Sequence, residues 1–473
     1  MSFMPFILHR EPLLSQSQLD RIESVMLRIL EKIGIGIRNE RILDQIKKKG
    51  FRINNGRVVF DSGVIKSFID EERKRNGYNF GKAEVTASAE PITLNVSQYP
   101  QNVHDLESDK ILPFTSERLI SATKLVDVLH TRGVHSSPPG CPTDVPPALQ
   151  PVKQYWISAT YSRFGKRPVD AKSAITMPYV MDMAETLGNP IRGLPVYVFS
   201  PLNFGSESFD CVMKFRDRLQ YVGVSNMISV GCSSPIRLGD AYAMAVAEVV
   251  GSAIIVRELT GLSVHWSIRL CPFNMRELAM TLGTPEDLLF QLANSEVNAF
   301  FHGTKWLPFT TGIHTCSKLP DAQAITEKAT LMTIGALLGA RNFADAGTLS
   351  LDEVFSAEQL LYDCEIKDHV ERIIKGLDIE CEPDSCLDEI AQGLDRGFVG
   401  SYNTLDNYKK LYWHPYLFDR SFLPQWLGKN SPTIREKVRH KIKDLLNDYE
   451  YSLEPDLQKE IDKIYARAES DLL

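Results

Sequence analysis

The sequence predicts an α/β protein organised around a parallel sheet, and three observations lead there. From about Val134 onward, short β-branched or aromatic segments alternate with helix-length apolar-periodic segments. That order needs crossover helices, and so a parallel sheet. The first 80 residues read as a separate small α/β unit, and the chain after Ala346 turns helical.

Taken in order, Ser15 to Ile33 carries apolar residues at Leu19, Ile22, Val25, Met26, Ile29 and Leu30, a helical period with a serine start. Gly34 and Gly36 end it. Glu40 to Lys48 gives a second helix, Arg57 to Phe60 a strand after the turn Asn54-Asn55-Gly56, and Gly63 to Lys74 a third helix. The strands of the main unit are expected at Val134–Ser137, Pro168–Ala171, Pro195–Ser200, Tyr221–Ser225, Ser263–Ser267, Phe300–His302 and Asn342–Ala346. A further strand, Ile92–Val96, precedes Tyr99. Helices are expected at Ala148–Tyr161, Gly239–Leu259, Pro285–Val297 and Ala322–Leu338. Later ones fall at Ser356–Leu377, Asp388–Leu394 and from Thr433. Seven strands are placed in the strand-helix repeat. An eighth would close a barrel, while a doubly wound open sheet satisfies the same pattern.

Composition bounds the function. The 473 residues are 43% hydrophobic and 24% charged, with a formal charge of -7. An acidic chain without clustered Lys/Arg lacks the electrostatic footprint of a nucleic-acid binder. The N-terminus has no basic region followed by a long apolar run and a cleavage site, so no signal peptide is read. The most apolar stretch, Ala241 to Val256, is broken by Glu248 and closed by Arg257-Glu258, which fits a buried helix better than a membrane span. A cytoplasmic protein is expected. The eight cysteines include no CxxC pair, which favours reduced thiols over zinc ligands.

The signatures GxxxxGK[ST], HExxH, GxSxG and GxGxxG are all missing. What remains is a group of polar and aromatic residues at the expected C-terminal ends of strands, the end that faces the active site in a barrel. These are His265-Trp266, His302 with Trp306, His314, and Asp345. The octet Ser317-Lys318-Leu319-Pro320-Asp321-Ala322-Gln323-Ala324 reads first as a helix start, with Asp321 as its cap. Thr143-Asp144-Val145-Pro146-Pro147 reads as another helix start.

Four blocks in order resemble the trimethylamine:corrinoid methyltransferase superfamily. They are Leu14 to Phe60 with "ILEKIGIGIRNE", the Thr143 to Pro147 segment, Lys318 to Gln323 followed by Glu327-Lys328-Ala329, and Phe355 to Leu360 followed by Asp363. The resemblance covers nearly the whole chain. It implies a TIM (β/α)8 barrel at 86–400, a small N-terminal α/β extension at 1–85 and a C-terminal helical segment at 401–473. It further implies transfer of a methyl group from a methylated amine to Co(I) of a corrinoid (cobalamin) carried on a separate partner protein, with a symmetric homo-oligomer and no bound metal or nucleotide. Only the twenty standard residues occur, so the chain resembles the branch without pyrrolysine, which includes glycine betaine:corrinoid methyltransferases. Where the family often has Thr-Asp-Ala-Lys, this chain reads Thr315-Cys316-Ser317-Lys318.

The chemistry implied by that resemblance asks for little from the protein. A quaternary ammonium leaves as a neutral tertiary amine, so no general acid, metal or covalent nucleophile is required, only positioning. Aromatic faces suit the cation, and a substrate carboxylate would require His, Arg or backbone N–H donors. The residues expected to bind substrate are Tyr99, Trp156, His265, Trp266, His314 and Phe355, with glycine betaine the expected substrate. Two alternatives stand beside this reading: a barrel enzyme acting on small amines or acids without a corrinoid, and a non-catalytic member that binds an amine or a corrinoid protein.

Overall fold

A computed structural model of the chain describes residues 6–78, 80, 90–135, 138–165, 169, 173–205, 207–305, 311–379 and 383–473. The N-terminal unit contains α1 (Gln16–Lys32), α2 (Glu40–Lys48) and α3 (Ser62–Arg75). Ser15 caps α1 in a reciprocal box with Gln18, which satisfies two of the N–H groups every helix start leaves open. Leu19, Ile22, Met26 and Leu30, spaced three and four apart, form the buried face of α1. Strand Ile35–Ile37 pairs antiparallel with Arg57–Val59, which also pairs with Arg52–Asn54. Gly34 sits at φ +69°, where an added Cβ would lie 2.1 Å from the Val58 carbonyl oxygen. Only glycine fits that approach.

The main unit is mixed α/β. Its parallel strands are β1 (Thr93–Val96), β2 (Val134–His135), β3 (Gly193–Tyr197), β4 (Tyr221–Ser225), β5 (Ser263–Ser267), β6 (Thr311–Gly312) and β7 (Asn342–Ala346). They form two arcs, β6-β7-β1-β2 and β3-β4-β5, all pairs parallel. The last strand therefore lies beside the first. Around them run α4 (Ser116–Val128), α5 (Gln150–Tyr161), α6 (Met177–Thr186), α7 (Glu207–Phe215), α8 (Leu238–Thr260), α9 (Pro285–His302), α10 (Ala322–Leu337) and α11 (Ala357–Lys375). Beyond them lie α12 (Pro383–Arg396), α13 (Tyr402–Leu411), α14 (Leu423–Gly428), α15 (Ile434–Asn447) and α16 (Pro455–Leu472).

Alternation along the strands separates two faces, because successive side chains point to opposite sides. Leu194, Val196, Val222, Val224, Val264 and Trp266 join one hydrophobic cluster with α1 and α8. Leu94, Val96, Val134 and Phe343 join a second with α4, α10 and α11. Ser263, His265 and Ser267 stand on the opposite, exposed face. All residues from Ala241 to Val256 in α8 are buried. By length and composition that helix could cross a membrane, yet it is enclosed by the protein's own core. The last helices also contribute to the core: Val438 and Ile442 of α15, and Ile461 and Ala468 of α16, are buried in the two clusters.

One expected strand is corrected. Phe300–His302 is the last turn of α9, and the strand lies later, at Thr311–Gly312. A short apolar run cannot be assigned from periodicity alone; here Phe300 and Phe301 are apolar because the helix end is buried. Ile92–Val96 is confirmed as β1. Of Pro168–Ala171 only Val169 is among the described residues, and Trp306 lies outside them.

Candidate functional site

A cavity of ≈ 460 Å³ lies between the end of β5, α9 and the strands β6 and β7. One wall is the end of β5 and the residues after it, Trp266 to Arg269. A second is a stripe of α9, and the third comes from Gly312, Asn342, Ala344 and Asp345. The α9 stripe is polar. Gln291, Asn294, Asn298 and His302 fall three and four residues apart, which places them on one helical face.

Among the described residues, that stripe takes the place of a strand beside β5 and the segment after it. Asn298 accepts from Ile268 N (2.9 Å) and donates to Ile268 O (3.0 Å). Asn294 does the same for Leu270, at 3.0 and 2.9 Å. The ring Nε2 of His302 lies 2.8 Å from Trp266 O. Residues 266, 268 and 270 thus find on a helix the partners a strand edge would otherwise supply, as buried backbone groups require.

Asp345, next to last in β7, has a left-handed backbone, φ 64°. For a residue with a Cβ that is strain of roughly 1–3 kcal/mol, held in place by its surroundings. Its carbonyl accepts from Lys328 Nζ at 3.0 Å and from Thr348 Oγ1 at 2.6 Å. Lys328 in turn pairs with Asp363 at 3.1 Å, both fully buried, and Asp363 accepts from Gly347 N at 2.7 Å and Gln359 Nε2 at 2.9 Å. Burial pushes the Asp363 carboxyl upward, and Lys328 opposes that. The pair fastens α10 to α11 and fixes the turn that aims Asp345.

The Asp345 carboxylate meets His314 Nε2 at 3.2 Å. His314 is 5% exposed, and its Nδ1 has no hydrogen-bond partner. Gly312 lies beneath both: an added Cβ would fall 2.0 Å from the His314 ring and 2.2 Å from Asp345 Oδ2. The loop after β6 is secured by Glu327, which accepts from Thr315 Oγ1 and, at 2.9 Å, from Cys316 N. Burial raises the Cys316 thiol and the nearby Asp352 carboxyl above their ordinary values. Cys316 stays a thiol directed at Leu282 O, 3.2 Å away, so the position where the family often has Asp holds no charge here. Asp321 caps α10 through Ala324 N at 3.1 Å, as expected. Asp144 caps the start of α4 instead, accepting from Ser116 N and Oγ.

The six expected binding residues do not converge. His314 stands at the strand ends beside Asp345. His265 is on the exposed face of β5, its ring 5.4 Å from Tyr221, and Tyr99 is 45% exposed in the segment after β1. Trp266 borders the cavity, yet alternation turns its ring outward onto Phe68 and His302. Trp156 is corrected to a helix-packing residue: its Nε1 donates to Asp462 of α16 at 2.7 Å, and its ring lies near Tyr465. Phe355 is corrected to core, fully buried and stacked on Phe114. An aromatic cage was expected, whereas amides dominate this lining. Sequence reasoning passed over Arg269, Gly312, Asn342 and the α9 amides. The legible signal was the spacing of Gln291, Asn294, Asn298 and His302 within an otherwise apolar helix.

A metal-like grouping, His104, Asp109 and Glu358, lies elsewhere. Arg435 pairs with both carboxylates, so it is an ion-pair cluster with its charge already balanced.

Compared with known proteins, the chain is 28% identical to trimethylamine methyltransferase MttB of Methanosarcina barkeri over 298 residues. That alignment covers 62% of this chain and spans 58% of that relative's length. It is 22% identical to a glycine betaine methyltransferase of Desulfitobacterium hafniense, covering 96% of each chain. It is 21% identical to a proline betaine:corrinoid methyltransferase of Eubacterium limosum, covering 94% of each. A family model described as trimethylamine methyltransferase (MTTB) matches residues 5–472, and the chain belongs to that family.

Proposed function

We propose that this protein is a cytoplasmic enzyme that moves a methyl group from a small quaternary amine, glycine betaine first, to a corrinoid carried on a separate protein. When bound, Co(I) of that corrinoid supplies the nucleophile. We further read the two parallel arcs as parts of one eight-stranded TIM barrel over 86–400, flanked by the extension at 1–85 and the helical segment at 401–473, assembled as a symmetric oligomer. The neighbouring positions of β7 and β1 support closure, since the last strand of such a barrel lies beside the first.

The observation that carries the functional reading is the cavity itself. Among the described residues of its lining it places one carboxylate, Asp345, near the end of β7, rigidly aimed, among amides and with no thiol, lysine or metal grouping. Such a site can hold a cation among polar groups. The full-length likeness to proteins named as betaine methyltransferases agrees with it. The exposed face of β5 leaves an approach to the cavity from the strand ends. In this reading Asp345 binds and the surrounding amides orient, so that rate comes from holding the methyl group in line.

The test compares initial rates of Co(I) loss, followed spectroscopically with a reduced corrinoid protein, for glycine betaine and trimethylamine at equal concentration. Methylation from the quaternary amine and little from trimethylamine is expected. A folded protein that methylates from no quaternary amine would overturn the reading.

A further inference from the structure

We propose that Arg269 is the residue that reads a carboxylate on the substrate, so that this cavity selects a zwitterion over a simple cation. The inference rests on the quaternary-amine reading and adds the second half of the molecule to it. Among the described residues lining the cavity, Arg269 is the one permanent cation and Asp345 the one carboxylate. They come from different walls, Arg269 from the segment after β5 and Asp345 from the end of β7. A ligand with separated positive and negative ends matches such a lining better than either charge alone.

Arg269 is built for an anion it does not have. Its Nη2 is enclosed and donates to nothing, a state folded proteins rarely leave uncompensated. It forms no ion pair among the described residues. The Cys271 thiol near it is raised by burial to about 11 and therefore carries no balancing charge near neutral pH. The backbone from which it projects is fixed. Arg269 N donates to Asn226 Oδ1 at 3.3 Å, and Asn226 is itself held by Ala245 O and Glu248, both at 3.0 Å. A planar guanidinium on a fixed backbone suits two-point binding of a carboxylate.

A competing role exists nearby, on α9. Asp287 is buried and accepts from Gly283 N and Gln291 Nε2 through Oδ2, while its Oδ1 has no partner. If Arg269 serves Asp287, it is a structural residue.

Binding to the intact protein, measured by calorimetry without corrinoid, separates these cases. The ligands are glycine betaine and tetramethylammonium, and the variants are Arg269→Gln, Arg269→Lys and Asp345→Asn. Expected is a roughly 10- to 100-fold loss of glycine betaine affinity in R269Q, with tetramethylammonium unchanged and partial recovery in R269K. D345N should weaken both ligands. Equal affinity of the parent protein for the two ligands, unaffected by R269Q, overturns the assignment while leaving the quaternary-amine reading intact. A large drop in melting temperature of R269Q with both ligands lost overturns it in favour of Asp287. Absence of binding by either ligand overturns both the assignment and the reading beneath it.

Discussion

Replacing Lys328 with Met tests the frame that holds Asp345. Methionine keeps the volume and removes the ammonium, so Asp363 is left fully buried with hydrogen bonds from Gly347 N and Gln359 Nε2 but no counter-ion. Breaking one side of a buried pair typically costs about 3–5 kcal/mol. The variant has one escape, which is to take up a proton on Asp363. Relative to an unfolded carboxyl at 3.8, protonation at pH 7 costs about 4 kcal/mol, from ~1.4 kcal/mol for each pH unit. That sets a ceiling and a pH signature. Burial raises the folded pKa above the unfolded one, so the folded state holds the extra proton and stability falls as pH rises between the two values. Denaturant unfolding of K328M and the parent protein at pH 5, 6 and 7 should therefore show a gap that widens as pH rises, by at most ~1.4 kcal/mol per unit. Lys328→Met combined with Asp363→Asn should remove the widening. A gap below about 1 kcal/mol at pH 7, or one independent of pH, would refute the view that this pair is dry and mutually dependent.

Three further outcomes follow from the same geometry. Gly312→Ala forces a Cβ into His314 and Asp345, so methyl transfer should fall about 100-fold, as for an ångström-scale misplacement of binding groups, with far-UV circular dichroism unchanged. Full activity would show that the His314–Asp345 arrangement is dispensable. Asn298→Leu strands Ile268 N–H and C=O, and urea unfolding should register a loss of about 1–3 kcal/mol; no loss would mean the α9 amides do not replace a strand. The hydrogen bond and charge of His302, helped by Arg75, hold Glu72 below its ordinary 4.5. Its contribution is therefore present above that value and lost as pH falls through the lower folded one. Trp266, whose ring lies 4.1 Å from His302, should report this as an acid-induced change in near-ultraviolet circular dichroism that Glu72→Gln removes.

The sequence by itself determined the local elements. Apolar spacing marked α1, α2, α8, α10 and α11 to within a few residues, and three strands, Tyr221–Ser225, Ser263–Ser267 and Asn342–Ala346, begin and end where the alternation does. This works because strand and helix periods are properties of neighbouring residues. It also marked Asp321 as a cap, and it resembled the right family through blocks containing Lys328 and Asp363. What it could not decide was which side chains meet. Trp156 and Phe355 looked like binding residues because aromatic type says nothing about what lies opposite; α16 and Phe114 settled that. Phe300–His302 was drawn as a strand because burial makes a helix end as apolar as a sheet. The gap between β5 and β6, the α9 amides that satisfy its edge, and the shared cavity of Arg269 and Asp345 join residues up to 76 positions apart. Only tertiary structure brings them together, since whether a polar group needs a partner depends on what excludes water from it.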